Sequence, residues 1–290
     1  MTALITPFDS DGRVDRTALQ RLARWQVEQG IRGLVPCGTT GEGATLDPAE
    51  SRAVIETVVA AAAGRVPVVA GCGSNDTRRT VDAARQAADA GADALLVVTP
   101  YYNKPNRSGM IDHYERVARA TDLPVVLYNV PGRTAQNLGA ELILRLAEVP
   151  GVVAVKEASA DLDQIGAVLE RRPPGFAVLS GDDSLTLSAL ALGVDGVISV
   201  VSNEAPGPMS LLVESALEGN YALARETHFR LLPLMRANFI ETNPVPVKTA
   251  MSMLGHCTEK LRPPLGPMAD TARAELGEAI AAAGLARASR

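Results

Sequence analysis

The sequence predicts an α/β protein, a (β/α)8 TIM barrel followed by a C-terminal helical extension. Short β-branched runs alternate with longer runs rich in Ala, Leu, Arg and Glu over most of the 290 residues, which is the pattern of a parallel sheet with crossover helices. Eight candidate strands separated by seven candidate helices match the count of a barrel. Only helical runs follow, so we divide the chain into a barrel, residues 1–202, and an extension, residues 203–290.

The strand candidates are short runs of β-branched or small apolar residues bounded by glycine, proline or polar residues. They cover residues 3–5, 33–36, 66–70, 94–98, 125–128, 152–156, 176–179 and 196–200. An open doubly wound sheet could also carry eight strands, but it usually has a glycine-rich phosphate turn after its first strand. The segment Thr6-Pro7-Phe8-Asp9 is not such a turn, which favours the barrel.

The helix candidates begin and end on residues that satisfy free backbone groups. They cover residues 16–29, 48–63, 77–90, 110–120, 140–147, 162–170 and 185–191 in the barrel, and 206–217, 221–239, 246–254 and 270–283 after it. Asp47 before Pro48, and Asp76, are N-cap signals, and Gly193 is a typical C-terminal stop. These signals support helices of ordinary length between the strands.

Composition and charge exclude several classes of protein. The net charge of -5 and a pI near 5.4 argue against nucleic acid as a partner, because phosphate binding needs clustered Lys and Arg. No apolar run reaches the roughly 20 residues needed to span a membrane, and the first strand starts so early that we expect no cleavable signal before it. The three cysteines are widely separated, which indicates reduced thiols in a cytoplasmic protein.

Lys156 is the main candidate for a catalytic residue. It follows the apolar run 152–155, at the carboxyl end of the sixth strand, where barrels carry their active sites. Burying an ammonium is costly unless its charge is paired or neutralised, and a lysine brought toward neutrality attacks carbonyl groups. A lysine that pairs with Glu157 or reaches for solvent is the alternative. Tyr128, Tyr102 and Thr39 on neighbouring strand ends favour the nucleophile, because imine chemistry requires proton transfer.

Two further segments on the same rim indicate anion binding. In Gly-Thr-Thr-Gly-Glu at residues 38–42, the hydroxyls of Thr39 and Thr40 and free backbone amides could hold a carboxylate. An ordinary glycine turn capped by threonine is the alternative. Arg133 lies in a Pro-Gly-Arg-Thr loop and could bind a second carboxylate through two hydrogen bonds, or merely form a surface ion pair.

A metal site and a second reactive lysine are both disfavoured. Asp182 and Asp183 lie beside no histidine or third carboxylate at ligand spacing, so we expect them to cap a helix starting near residue 184. The three histidines fall in helical or C-terminal segments, and we expect no metal. Lys248 follows Pro-Val-Pro-Val at the start of a helix, where a structural role is expected.

The polar segments together resemble those of one enzyme family. They are Gly-Thr-Thr-Gly-Glu at 38–42, Thr-Pro-Tyr-Tyr-Asn at 99–103, Tyr-Asn-Val-Pro-Gly-Arg-Thr at 128–134, Val-Lys-Glu-Ala at 155–158 and Ser-Gly-Asp-Asp at 180–183. In this order they resemble the 4-hydroxy-tetrahydrodipicolinate (dihydrodipicolinate) synthases, a family of class I pyruvate aldolases. The resemblance covers nearly the whole chain and extends to Glu-Thr-Asn-Pro-Val-Pro-Val-Lys at 241–248.

The resemblance implies a lyase that condenses pyruvate with L-aspartate 4-semialdehyde, in the diaminopimelate route of lysine biosynthesis. Lys156 would form a Schiff base with pyruvate, and Tyr128 would act as general acid and base. Thr39 and Tyr102 would complete the proton relay, with Tyr102 supplied by a neighbouring subunit. The family implies no cofactor and a homotetramer built as a dimer of dimers.

The same resemblance assigns the substrate-binding residues. Thr40, Gly181 and the backbone near Ile198 would bind pyruvate, and Arg133 would bind the carboxylate of aspartate 4-semialdehyde. A related aldolase acting on a sugar-derived 2-keto acid is the alternative enzyme. Such aldolases commonly have serine in place of Thr39 and lack the arginine. A non-catalytic binding barrel is the third hypothesis.

One departure from the family bears on regulation. Members inhibited by lysine bind it with histidines soon after the Gly-Thr-Thr-Gly-Glu segment and with a glutamate further on. The matching positions are Pro48, Ser51 and Arg79, although Asn75 and Tyr101 remain. Because a cationic Arg79 would repel the amine of the ligand, we expect weak or absent inhibition by lysine.

Overall fold

The structure, a computed structural model, describes residues 1–286 and contains a closed barrel of parallel strands. The strands are β1 (Thr2–Ala3), β2 (Leu34–Val35), β3 (Val69–Gly71), β4 (Ala94–Val98), β5 (Val125–Asn129), β6 (Val152–Glu157), β7 (Ala177–Ser180) and β8 (Gly196–Val197). β1 pairs with β2, and β3 to β8 pair in chain order. Single parallel bridges, Leu34 with Val68 and Thr2 with Ser199, join the two sheets. The prediction of a (β/α)8 barrel is confirmed.

Helices surround the strands and continue after the last one. In the barrel they are α1 (Arg16–Glu28), α2 (Pro48–Ala62), α3 (Thr77–Asp89), α4 (Arg107–Ala118), α5 (Pro131–Thr134), α6 (Gly139–Ala147), α7 (Leu162–Arg171) and α8 (Thr186–Leu192). They continue with α9 (Pro206–Leu217), α10 (Tyr221–Ala237), α11 (Val245–Met253) and α12 (Asp270–Ala282). No helix of residues 1–286 combines the length and the apolarity needed to cross a membrane.

Helix α9 completes the outer ring, although it lies beyond the predicted boundary at residue 202. It packs against α8 and α10, and on its other side Ser210 Oγ donates to the Gly30 carbonyl at 3.2 Å. It therefore fills the gap between α8 and the end of α1. The division of the chain at residue 202 stays a prediction.

The helix ends follow the capping signals where the sequence carries them. Asp47 accepts from Glu50 N while Glu50 accepts from Asp47 N, a capping box at α2 that satisfies two free donors. Asp76 accepts from the first turn of α3. α4 starts three residues before the predicted position because Asn106 caps it. The short helix α5, which was not predicted, opens on Pro131.

The barrel interior is filled by the inward-facing side chains of the strands. These apolar side chains, on the strands or directly after them, are Ala3, Val35, Val69, Ala94, Leu96, Val126, Tyr128, Val130, Ala154 and Ile198. Because side chains alternate along a strand, Lys156 on β6 projects to the same side as Ala154. The interior is therefore apolar up to the carboxyl ends of the strands, where Tyr128 and Lys156 lie.

The barrel closes around one buried asparagine that follows β8. Asn203 Nδ2 donates to the Ala3 carbonyl at 2.8 Å, and its Oδ1 accepts from Ile5 N at 3.1 Å. Ser199 O also accepts from Ala3 N at 2.9 Å. These bonds satisfy backbone groups of residues 3–5 that the ladder of β1, which is only two residues long, would otherwise leave free.

Candidate active site

Lys156 lies at the carboxyl end of β6, beside Tyr128. In the ladder it is opposite Tyr128 on β5 and Leu179 on β7. Only 5% of the residue is exposed, and its Nζ lies 4.2 Å from the centroid of the Tyr128 ring. Two of the predicted catalytic residues are thus brought into contact by strand register alone.

Glu157 is not the partner of Lys156, because neighbouring side chains on a strand point to opposite faces. Its carboxylate accepts from Asn129 Nδ2 at 3.0 Å, from Ser159 N at 2.7 Å and from Gln164 Nε2 at 2.9 Å. The hypothesis that Lys156 pairs with Glu157 is wrong. The Glu157 carboxylate instead fixes the chain that follows β6.

Gly181 makes room for the lysine side chain. A Cβ built at this position would lie 3.2 Å from Lys156 Cε and 2.5 Å from the Ala158 Cβ. The backbone of Gly181 is held in place, since its N donates to the Glu157 carbonyl at 2.7 Å. Gly181 therefore lies against the lysine, as predicted for a site residue, while its role in binding substrate stays a prediction.

A cavity of about 350 Å³ opens at the carboxyl ends of β2 to β5. Thr39, Tyr128 and Arg133 line it, together with Tyr101 and Asn243. This is the end at which barrel enzymes bind their substrates. A larger cavity of about 420 Å³ lies beside Met1 and Gly196, at the amino ends of β1 and β8, and none of the eight predicted site residues is among the described residues that line it.

The other predicted site residues lie around this cavity or away from it. Thr40 is buried, and its Oγ1 accepts from Asn243 Nδ2 at 3.0 Å. Ile198 is fully buried, and its N donates to the Ser180 carbonyl at 2.9 Å. Tyr102 is 89% exposed, so a single chain does not bring it to Lys156.

Arg133 is linked to Thr40 through Asn243. Arg133 Nη2 donates to the Asn243 carbonyl at 3.1 Å, while the side chain of Asn243 reaches Thr40. Asn243 precedes α11. It lies 110 positions after Arg133 and 203 positions after Thr40 in the sequence. Sequence reasoning missed Asn243 as a site residue, although it lies in the segment 241–248 that carried part of the resemblance.

The prediction that Asp182 and Asp183 cap a helix is wrong. Asp183 Oδ2 accepts from Val200 N at 2.9 Å and from Val201 N at 2.8 Å, which fixes the chain just after β8. α8 begins at Thr186 with no side-chain cap. Burial, followed by the charge of Asp183, raises the pKa of Asp182 to about 6. Asp183 therefore supports the backbone that follows Ile198.

The cysteines and histidines are not assembled into a reactive cluster. Cys37 and Cys72 line the cavity, and burial raises the pKa of each thiol to about 12, which keeps them protonated. Among residues 1–286, no group of three or more His, Cys, Asp or Glu is arranged to hold a metal ion.

Comparison with known proteins matches the chain over nearly its whole length. The model of the "Dihydrodipicolinate synthetase family" matches residues 1–283. A 4-hydroxy-tetrahydrodipicolinate synthase of Methanothrix thermoacetophila is 50% identical over 279 residues, which cover 96% of this chain and 94% of the relative.

Solved structures give the same result. Dihydrodipicolinate synthase from Aquifex aeolicus is similar with a TM-score of 0.96 and 44% identity, covering 99% of this chain and 98% of that one. The first monomeric dihydrodipicolinate synthase variant is similar with a TM-score of 0.96 and 41% identity, covering 98% and 96%. The predicted resemblance is confirmed: the chain belongs to the dihydrodipicolinate synthetase family.

Proposed function

We propose that this chain is a lyase that condenses pyruvate with L-aspartate 4-semialdehyde to 4-hydroxy-tetrahydrodipicolinate, through a Schiff base on Lys156. The observation that carries the proposal is the buried Lys156, 4.2 Å from the ring centroid of Tyr128, in a chain whose relatives bear the name of this synthase. A lysine held in an apolar barrel interior, with its carboxylate neighbour bonded elsewhere, is available to attack a carbonyl group.

The lysine amine attacks the keto carbon of pyruvate, and loss of water from the adduct gives an iminium ion. The iminium withdraws electrons from the adjacent methyl group, so that loss of one methyl proton produces an enamine. The enamine carbon then forms a bond to the aldehyde carbon of the second substrate, whose oxygen takes up a proton. Finally the amine of that substrate attacks the iminium carbon, which closes the ring and releases Lys156.

Each proton transfer needs a group beside Nζ that can both accept and donate. The ring of Tyr128 lies beside the amine, and its hydroxyl takes this part as general acid and base. Thr39, which lines the cavity, passes the proton onward. Tyr102 is the third member of the relay and comes from a neighbouring subunit, which agrees with its exposure in the single chain.

The two carboxylates of the substrates bind at different parts of the rim. The carboxylate of pyruvate binds to Thr40, the backbone near Ile198 and the segment containing Gly181. The carboxylate of aspartate 4-semialdehyde binds to Arg133 at the cavity wall, because guanidinium and carboxylate form paired hydrogen bonds. Arg133 thus favours an acidic acceptor over a neutral sugar aldehyde.

Because the proton relay requires Tyr102 from a neighbouring subunit, we propose a dimeric unit and a homotetramer built from two such units. A monomeric variant is among the similar structures, so the mass of the assembly in solution is the measurement that tests this proposal. We also propose that the enzyme acts in the cytoplasm, as a member of a biosynthetic pathway.

A two-step experiment tests the proposal. Borohydride reduction in the presence of isotope-labelled pyruvate is expected to label Lys156 covalently, and an unlabelled protein would contradict the Schiff base. Turnover is then compared between aspartate 4-semialdehyde and the acceptors of sugar-acid aldolases, N-acetylmannosamine and glyceraldehyde. Turnover that is no faster with aspartate 4-semialdehyde than with the sugar aldehydes would contradict the proposed substrate.

A further inference from the structure

The loop of residues 38–43, which carries Thr39 and Thr40, is folded back on itself. Glu42 N donates to the Thr39 carbonyl at 3.1 Å, and Gly43 N donates to the Gly38 carbonyl at 3.1 Å. Glu42 has a φ of 53°, in the left-handed region that disfavours residues with a Cβ. The loop therefore depends on outside contacts to keep Glu42 in this conformation.

The carboxylate of Glu42 supplies those contacts from within the protein. Its Oε1 accepts from Lys248 Nζ at 2.5 Å, and its Oε2 accepts from Arg262 N at 3.0 Å. The side chains of Lys248 and Glu42 are 0% and 1% exposed. The ammonium also lies 3.9 Å from the centroid of the Phe8 ring, so it is enclosed on both sides.

A buried ion pair of this kind is poorly explained by stability alone. Removing two charges from water is unfavourable, and replacing such a pair with apolar residues is often neutral or stabilising. An apolar pair, however, cannot fix the orientation of a side chain through hydrogen bonds. Two hydrogen bonds to the two oxygens of one carboxylate fix its orientation, and through it the backbone of Glu42.

Lys248 belongs to a segment that contacts the loop at a second point. Asn243, just before α11, donates from Nδ2 to Thr40 Oγ1 at 3.0 Å. Lys248 N donates to the Pro244 carbonyl at 3.0 Å, so Lys248 lies one helical turn after Pro244, the residue that follows Asn243. The segment 243–248 therefore holds the loop at Thr40 and at Glu42, on either side of Gly41.

We infer that Glu42 and Lys248 are positioning residues, whose buried ion pair holds the hydroxyl of Thr40 where the carboxylate of a 2-keto acid binds. The inference rests on the proposed function for the identity of that ligand. It extends the predicted structural role of Lys248 to the binding of substrate. Neither residue touches the reacting atoms, and both act through the loop.

The test measures pyruvate binding separately from the chemistry. For the wild type and for Lys248→Met, Glu42→Gln and the double variant, Lys156 is trapped with borohydride over a range of pyruvate concentrations. We expect the half-saturating pyruvate concentration to rise at least tenfold in Lys248→Met, while the limiting rate of trapping changes less than threefold. The double variant recovers part of this loss, because it leaves no buried charge without a partner.

A matched control perturbs a buried carboxyl elsewhere. Glu204 is 2% exposed, accepts from Asn238 Nδ2 at 3.0 Å and does not line the cavity. Glu204→Gln is expected to leave the half-saturating concentration unchanged, whatever it does to the melting temperature. A purely structural role would instead reduce the fraction of trappable protein equally in all variants.

The outcomes are distinct. Half-saturation within twofold of the wild type in folded Lys248→Met would overturn the inference, as would an equal shift in Glu204→Gln. If Lys248→Met does not fold, the same twofold limit on the half-saturating concentration is applied to the neutral double variant and to Glu42→Gln. A wild-type chain that traps no pyruvate refutes the proposed function itself, whereas normal trapping with unshifted variants refutes only the positioning role.

Discussion

Replacing Gly181 with alanine adds a single methyl group beside the reacting lysine. The new Cβ would lie 2.5 Å from the Ala158 Cβ, 3.2 Å from Lys156 Cε and 3.2 Å from the Glu157 carbonyl oxygen. Non-bonded carbon atoms pack about 3.5–4.0 Å apart. The contact with Ala158 is therefore about 1 Å too short, and either the chain end after β6 that carries Ala158 or the chain end that carries Gly181 has to move.

The magnitude follows from which group moves. Gly181 N is bonded to the Glu157 carbonyl at 2.7 Å, which opposes outward movement of the backbone, so part of the displacement falls on Ala158 and, through the end of β6, on Lys156. Overpacking of this kind costs about 1–3 kcal/mol of folding free energy. A full displacement of about 1 Å at a reacting centre lowers a rate on the order of 100-fold, or about 3 kcal/mol in activation free energy, and because only part of the displacement reaches Lys156 the expected loss of rate lies below this limit.

The assay is the rate of borohydride trapping of pyruvate at saturating concentration, with a melting curve to verify folding. Gly166→Ala in α7 is the control, because no atom lies within 4 Å of the added methyl group. That change is expected to keep the trapping rate and to raise stability by roughly 0.5–1 kcal/mol. Trapping by folded Gly181→Ala at the wild-type rate would refute the packing argument.

Four further predictions concern the same site and its surroundings. Lys156→Ala is expected to remain folded by circular dichroism and to lose all borohydride trapping; labelling at another lysine would contradict the assignment. Arg133→Ala is expected to raise KM for aspartate 4-semialdehyde by roughly 10- to 100-fold, since bonds to charged groups contribute about 1.5–3 kcal/mol, with KM for pyruvate within twofold. Because the pKa of Asp182 rises from 3.8 to about 6 on folding, its contribution to stability is full below pH 3.8 and is lost as the pH rises to 6. Asp182→Asn should therefore gain up to about 3 kcal/mol relative to the wild type across this window in urea titrations. Lysine is expected to inhibit weakly or not at all, because Arg79 would repel its amine; half-inhibition at submillimolar lysine in a coupled assay would contradict this.

The strands and helices were largely predictable because the signals for them are local. The run 152–156 is apolar up to a charged residue, and the strand found there, Val152–Glu157, is one residue longer. The third strand begins at Val69 rather than at 66. Pro67 has no N–H to donate to a ladder. It therefore shortens the strand, although the β-propensity of its neighbours favours a longer one.

The reacting end of the site was also predictable, because barrel topology decides it. Once eight parallel strands are assigned, their carboxyl ends must meet, and Lys156 and Tyr128 come together through adjacent strands. The long-range contacts were not predictable in this way. Asn243 meets Thr40 across 203 positions, and Lys248 meets Glu42 across 206. The hydrophobic periodicity of a helix does not indicate which distant loop its first turn will contact.

The prediction that Asp183 caps a helix was wrong for a related reason. An aspartate just before a helix usually caps it, and that preference was the only local signal. In the folded chain, however, its carboxylate is drawn to two free N–H groups that follow β8. Buried donors require acceptors wherever they come from, and here the requirement of a neighbouring strand outweighed that of the helix.

The closure of the barrel around Asn203 has a consequence for how the chain folds as it is synthesised. The Ala3 carbonyl has its donor on Asn203 and the Ile5 N–H has its acceptor there, and β1 also meets the chain after β8 at Ser199. Until the chain has been synthesised as far as Asn203, 200 positions after Ala3, the first strand lacks one of its neighbours. Contacts so distant in sequence slow folding, and until they form β1 has an unpaired edge, the kind of surface at which partly folded chains aggregate.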